Sequence, residues 1–218
     1  MMRTMFWVAC SVLLLGCDSD DVEEFLDYDD GFNKNYYRVS NLTGEDIDVY
    51  IRSSDYDGDK RNPFKSKYRK LKQLSDGQQK EFSYRHNYTT QINIGASFSY
   101  DDANQTYQEY SVDYNRDYHL IVWQQGENLN HRFYKRRDNH KDDKITLRVI
   151  SVVENGLLET PEGNFNMVRG DISEQFRIEN CATSVFFNGV EVDLCDGDYG
   201  KSYLVILDDN RTLIVPEK

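Results

Sequence analysis

Asp46-Ile47-Asp48-Val49-Tyr50-Ile51-Arg52 alternates apolar and polar side chains with period two, so Ile47, Val49 and Ile51 point one way while Asp48, Tyr50 and Arg52 point the other. Successive side chains of an extended strand project to opposite faces, whereas a helix needs apolar residues three and four apart. The same rhythm returns in Lys80 to Tyr84, Gln91 to Ile94, Tyr118 to Trp123, Ile145 to Ile150 and Lys201 to Leu207, with Asn, Gly and Asp clusters between them. No long window keeps a helical period. Many short strands separated by turn residues predict an all-β chain of antiparallel β-sandwiches.

A loose internal repeat suggests two such units. Glu81-Phe82-Ser83-Tyr84-Arg85, followed later by Tyr118-His119-Leu120-Ile121-Val122, parallels Gln175-Phe176-Arg177-Ile178-Glu179 followed by Tyr203-Leu204-Val205-Ile206-Leu207. Each ends on a short strand, His131-Arg132-Phe133-Tyr134 in the first and Thr212-Leu213-Ile214-Val215 in the second. Two small tandem sandwiches, 32–140 and 141–218, follow from this reading, with the basic run from Arg132 to Lys144 as the boundary.

Cys181 and Cys195 bracket Ala182-Thr183-Ser184-Val185-Phe186-Phe187-Asn188-Gly189-Val190-Glu191-Val192-Asp193-Leu194, which reads as a hairpin around Asn188-Gly189. A two-residue turn would pair Phe187 with Val190 and turn the two thiols to opposite faces. A three-residue turn with Gly189 in the left-handed region pairs Phe186 with Val190 and sets Cys181 opposite Cys195. The second register is the one expected, with a disulfide worth about 3 kcal/mol by loop-closure entropy.

Tyr37-Arg38-Val39-Ser40-Asn41-Leu42-Thr43-Gly44-Glu45-Asp46-Ile47-Asp48-Val49-Tyr50-Ile51 resembles the opening of a bacterial domain family of unknown function. In that family an Arg-Val strand, a short turn and an Asp-Val-Tyr-Val strand begin an immunoglobulin-like or transthyretin-like sandwich, often in tandem on secreted proteins and lipoproteins. The resemblance implies a fold and supplies no catalytic residues.

At the other end of the argument stands Leu14-Leu15-Gly16-Cys17, closing an apolar run that starts at Met5 behind Arg3. The run is too short to span a bilayer, and a small residue precedes the cysteine. It resembles the lipobox of bacterial lipoproteins, which implies a signal peptide over 1–16, acylation of Cys17 and a mature protein held on a bacterial membrane facing the periplasm. Several acyl chains, at about 0.8 kcal/mol for each buried methylene, hold far more firmly than one. Residues 18 to 31 then carry Asp18, Asp20, Asp21, Glu23, Glu24, Asp27, Asp29 and Asp30 with no basic residue, so 17–31 reads as a lipidated acidic tether. Loss of Arg3 takes the net charge from −12 to −13. That sign argues against nucleic-acid binding.

Signatures of chemistry are sparse. Gly200-Lys201-Ser202 lacks the first glycine of a phosphate-binding loop and runs into a strand. Asp55, Asp57 and Asp59 have the oxygen density of a calcium loop, yet Gly58 is misplaced for an EF-hand and Ser66 stands where its glutamate would be. His86, His119, His131 and His140 show no ligand spacing, so neither a metal nor any other cofactor is expected. No Gly-x-Ser-x-Gly, His-Glu-x-x-His or Cys-x-x-Cys occurs, and no catalytic residue is expected.

Two basic stretches interrupt the acidic whole. Lys65, Lys67 and Arg69 alternate as on a strand face, and Arg136 and Arg137 belong to the second stretch. They read as lysine-guarded edges or as contacts for an anionic lipid or polymer. Sixteen tyrosines add the option of stacking on sugars. The expectation is a non-enzymatic, lipid-anchored envelope module that binds or builds, its partner a protein or cell-wall polymer. An enzyme or carbohydrate-binding module acting on envelope glycans is the alternative, and an enzyme would need two carboxylates fixed roughly 5 to 9 Å apart in a cleft.

Overall fold

The computed structural model describes residues 34–54, 62–86, 90–101, 103–209 and 211–218. The first sandwich is made of β1 (Lys34–Leu42), β2 (Ile47–Ser53), β3 (Arg69–Leu74), β4 (Gln79–Arg85), β5 (Gln91–Phe98), β6 (Gln105–Ser111), β7 (Asp117–Gln125) and β8 (Asn128–Lys135). Its sheets run β4-β1-β7-β8 and β3-β2-β5-β6. The second is made of β9 (Ile145–Ser151), β10 (Gly156–Thr160), β11 (Gly163–Met167), β12 (Phe176–Ile178), β13 (Phe186–Phe187), β14 (Val190–Glu191), β15 (Ser202–Asp208) and β16 (Arg211–Pro216). Its sheets, β12-β9-β15-β16 and β11-β10-β13-β14, repeat the first order position by position. The segments matched in the sequence therefore sit on equivalent strands: β4 with β12, β7 with β15, β8 with β16.

The sheets are mixed rather than purely antiparallel. β1 pairs β7 in parallel, Tyr37 beside Tyr118, and β9 pairs β15 in parallel, Val149 beside Val205. Parallel strands are characteristically covered on both faces, and side-chain parity shows why that holds here. Tyr118, Leu120 and Val122 of β7 face the first sandwich's own core, while Ile121 and Trp123 face the other way into a separate cluster. On β15, Tyr203, Val205 and Leu207 fill the second core while Leu204 and Ile206 join that same separate cluster. The two inner sheets thus pack back to back, giving four layers and three apolar cores.

The shared layer is apolar at one end, where Leu42, Ile121, Trp123, Ile150, Leu204 and Ile206 meet. Gly170 belongs there because a Cβ at that position would lie 2.9 Å from the Trp123 ring, and its φ of +80° is one that glycine adopts freely. At its other end the layer is polar. Arg148 Nε donates to Glu217 Oε1 at 2.8 Å, with both side chains buried, and its guanidinium lies 4.9 Å from the Tyr134 ring centroid. His119 bridges Tyr134 Oη at 2.7 Å and Ser40 Oγ at 2.8 Å. Burial drives the His119 pKa well below its ordinary value, reinforced by Arg38, Arg136 and Arg148. Burial likewise raises that of Glu217, against the pull of Arg148.

Cys181 and Cys195 form a disulfide, with their Cα atoms 4.7 Å apart. The register is the one set aside in the sequence reading: Phe187 pairs Val190 and Phe186 pairs Glu191 around a two-residue turn. Asn188 and Gly189 have φ of +51° and +76°, the positive values that a two-residue hairpin turn selects. Extrapolating the register to the cysteines fails because the ladder stops short of them. Thr183 N donates to Asn180 O and Gly197 N to Leu194 O, so turns on both sides redirect the two thiols toward each other.

Candidate functional site

Three turns meet at the end of the first sandwich where β1 finishes. Asn41, fully buried, organises the first by donating to Glu45 O and Leu74 O at 2.7 Å each and accepting from Thr43 N and Oγ1 at 3.0 and 2.8 Å. The second, after β3, is tied to it by Gly44 N donating to Asp76 Oδ1 at 3.0 Å. The third, after β5, is held by Ser99 N donating to Asp46 O at 2.9 Å. Between them lies an open groove of about 540 Å³ lined by Glu45, Asp46, Gln73, Asp76, Ser99 and Tyr100 among others.

Its walls are fixed by buried or paired carboxylates. Asp48, beneath the groove, accepts from Gln73 N, Ser99 Oγ and Arg69 Nη1 at 2.7 to 2.8 Å. Burial alone would raise its pKa, but these donors outweigh it and hold the carboxyl below its ordinary value. Asp76 behaves the same way: burial opposes ionisation, and Arg211 of the second sandwich, bonded to both its oxygens at 2.9 and 3.0 Å, prevails. Tyr100 stands at the rim, 70% exposed, its ring stacked on buried Phe98 at 5.3 Å and 15°. One ring face is packed and the other is open.

The residues singled out from the sequence are distributed elsewhere. Lys65, Lys67 and Arg69 do not share a strand face, because Ser66–Tyr68 form a 3-10 helix and β3 begins only at Arg69. Arg69 is engaged by Asp48, and Lys67 lies over the Tyr68 ring. Arg136 does not present a free cation either. Its side chain is 5% exposed and donates to Glu217 O at 2.7 Å and Glu81 Oε1 at 3.1 Å. Arg137 is exposed beside it, in a polar groove of about 510 Å³ whose Lys135 and Lys218 are paired with Asp113 and Asp138. Cys17 and the calcium candidates Asp55, Asp57 and Asp59 lie outside the described residues.

Each histidine has a partner: His86 with Tyr37 Oη at 2.7 Å, His131 with Thr106 Oγ1 and Tyr110 Oη at 2.7 and 2.9 Å, and His140 with Asp138 at 2.5 Å. Among the described residues no group of three His, Cys, Asp or Glu is placed to hold a metal ion. No described helix is long and apolar enough to cross a membrane. Sequence reading missed Tyr100 and its groove, since one tyrosine in sixteen carries no mark of exposure until the turns are assembled.

No known protein family and no curated protein matches the chain. Among solved structures it is similar to a family 26 carbohydrate-binding module of Amy13K from Eubacterium rectale, in complex with maltoheptaose. That similarity covers 83% of this chain and 95% of the other at 10% identity, with a TM-score of 0.24, too low to bear on function.

Proposed function

We propose that this chain is a lipid-anchored module of the bacterial cell envelope, acting by binding or by structure rather than by catalysis. The observation that carries the non-catalytic reading is how the described carboxyls with shifted pKa are used. Asp48, Asp76, Asp113, Asp198 and Glu217 are each committed to a basic partner, namely Arg69, Arg211, Lys135, Lys201 and Arg148. A carboxylate held ionised in an ion pair has no proton to give as a general acid, and Glu217, whose proton burial favours, is sequestered at 3% exposure. The back-to-back inner sheets support a rigid body that can present its surfaces in fixed relation.

Anchoring is supported by Leu14-Leu15-Gly16-Cys17 and the acidic stretch behind it. Metabolic labelling with radioactive palmitate is expected to mark the wild-type chain and to leave Cys17→Ala unlabelled and released from membranes by salt. Equal labelling of both, or a wild-type chain without label, would overturn the anchor.

A further inference from the structure

We infer that the groove beneath Tyr100 binds a neutral oligosaccharide, the sugar ring stacked on the tyrosine and its hydroxyls donating to the acidic wall. This rests on the binding reading above and gives it a ligand class. The first support is the platform. An exposed aromatic side chain ordinarily has rotamers to lose on binding, but Tyr100 is already stacked on Phe98, which is 2% exposed, so one ring face is preorganised and the other open. A pyranose offers a matching apolar C–H face.

The second support is the chemistry of the wall. Glu45 and Asp46 line the groove, and no side-chain hydrogen bond or ion pair to either is found among the described residues. Ionised carboxylates accept hydrogen bonds and cannot donate, so the ligand they suit is rich in donor hydroxyls. Ser99 and Gln73 add polar groups whose backbone or hydroxyl is already held by Asp48.

Charge narrows the class. Glu45 and Asp46, which have no basic partner among the described residues, disfavour phosphate and uronate, and with them nucleotides, anionic lipids and acidic polysaccharides. Pinning by Arg211 and Gly44 keeps Asp76 in place and neutralised, so the acidity of the groove comes from Glu45 and Asp46.

Native affinity electrophoresis of the mature chain carrying Cys17→Ala tests this apart from the anchor, in gels containing amylopectin, laminarin or xyloglucan, with polygalacturonate as the acidic control. Retardation is expected in at least one neutral gel and not in polygalacturonate. Tyr100→Ala should weaken the apparent affinity tenfold or more, Tyr100→Phe should stay within twofold, and Glu45→Gln with Asp46→Asn should lose several-fold. No retardation in any neutral gel overturns the inference, as does retardation that Tyr100→Ala preserves or that polygalacturonate matches. Palmitate labelling is untouched by any of these results, so the two proposals fail separately.

Discussion

The two sandwiches share one strand order but differ in how they close their outer sheet. In the first, β3, β2, β5 and β6 have 6, 7, 8 and 7 residues; in the second, β11, β10, β13 and β14 have 5, 5, 2 and 2. The first core is closed by stacked rings, with Tyr37 5.4 Å from Phe82 and 5.9 Å from Tyr118, and Tyr118 5.0 Å from Phe133. The second has a short outer sheet and a covalent staple beside it at Cys181–Cys195. Small units with limited apolar area are often secured this way. Asn188 reinforces it, because its Oδ1 accepts from Leu157 N at 2.9 Å and its Nδ2 donates to Glu154 at 2.7 Å, docking the hairpin onto β10. One topology can therefore be held by area or by cross-links.

The largest effect is expected where the two halves join. Arg148→Met leaves Glu217 buried with its main partner gone, which should cost roughly 3 to 5 kcal/mol, whereas Arg148→Met with Glu217→Leu should recover most of that loss. Urea unfolding followed by the emission of Trp123, which sits in the shared layer, measures both. If the single variant unfolds like the wild type, the buried pair adds nothing to the stability of the shared layer. Next in size is the staple. Reduction, or Cys181→Ala with Cys195→Ala, should cost about 3 kcal/mol and speed amide exchange around β13 and β14 while leaving β5 and β6 unchanged. Equal acceleration in both outer sheets would erase the contrast between them.

How much of this was legible in the sequence depends on how local the cause is. Strand identity was readable because Ile47, Val49 and Ile51 alternate into the apolar core, although Asp48, Tyr50 and Arg52 on the other face are buried as well, and the repeat was readable because Phe82 and Phe176 occupy the same slot on β4 and β12. Parallel pairing of β1 with β7 was not, since partners 81 residues apart leave no turn signature. A hint lay in the unbroken run of Leu120 to Trp123, whose apolar residues on both faces require cover on both. The disulfide was found through the wrong register because a ladder was extended past its end. The partners of the basic stretches were hidden for a related reason: Arg69 and Arg136 look free in sequence, while Asp48 and Glu217 reach them only through the fold. Tyr100 depends on three turns from distant segments, which no spacing rule assembles.

Acid offers the finest test of the contrast, because the described histidines whose pKa is depressed, His86, His119 and His131, all belong to the first sandwich. Burial lowers His86 and His131 from 6.5 to about 4 in the folded chain. Unfolded, each takes up its proton as pH falls through 6.5 while the folded form does not, so stability is full above that value and drains away down to about 4. Between pH 7 and 6 each should remove about 0.7 kcal/mol. Glu217, raised by burial on the C-terminal strap of the second sandwich, has the opposite sign, since a folded-state carboxyl that binds its proton more readily gains stability as pH falls. Amide exchange in β5 and β7, corrected for intrinsic rate, should therefore quicken between pH 7 and 6 while β9 and β15 hold steady. His131→Gln, which keeps a hydrogen-bonding side chain toward Thr106 and Tyr110, should flatten the slope by one histidine's share. Equal acid sensitivity in both sandwiches would mean that the back-to-back layer transmits protonation across the whole body, and the two halves would then have to be treated as one folding unit.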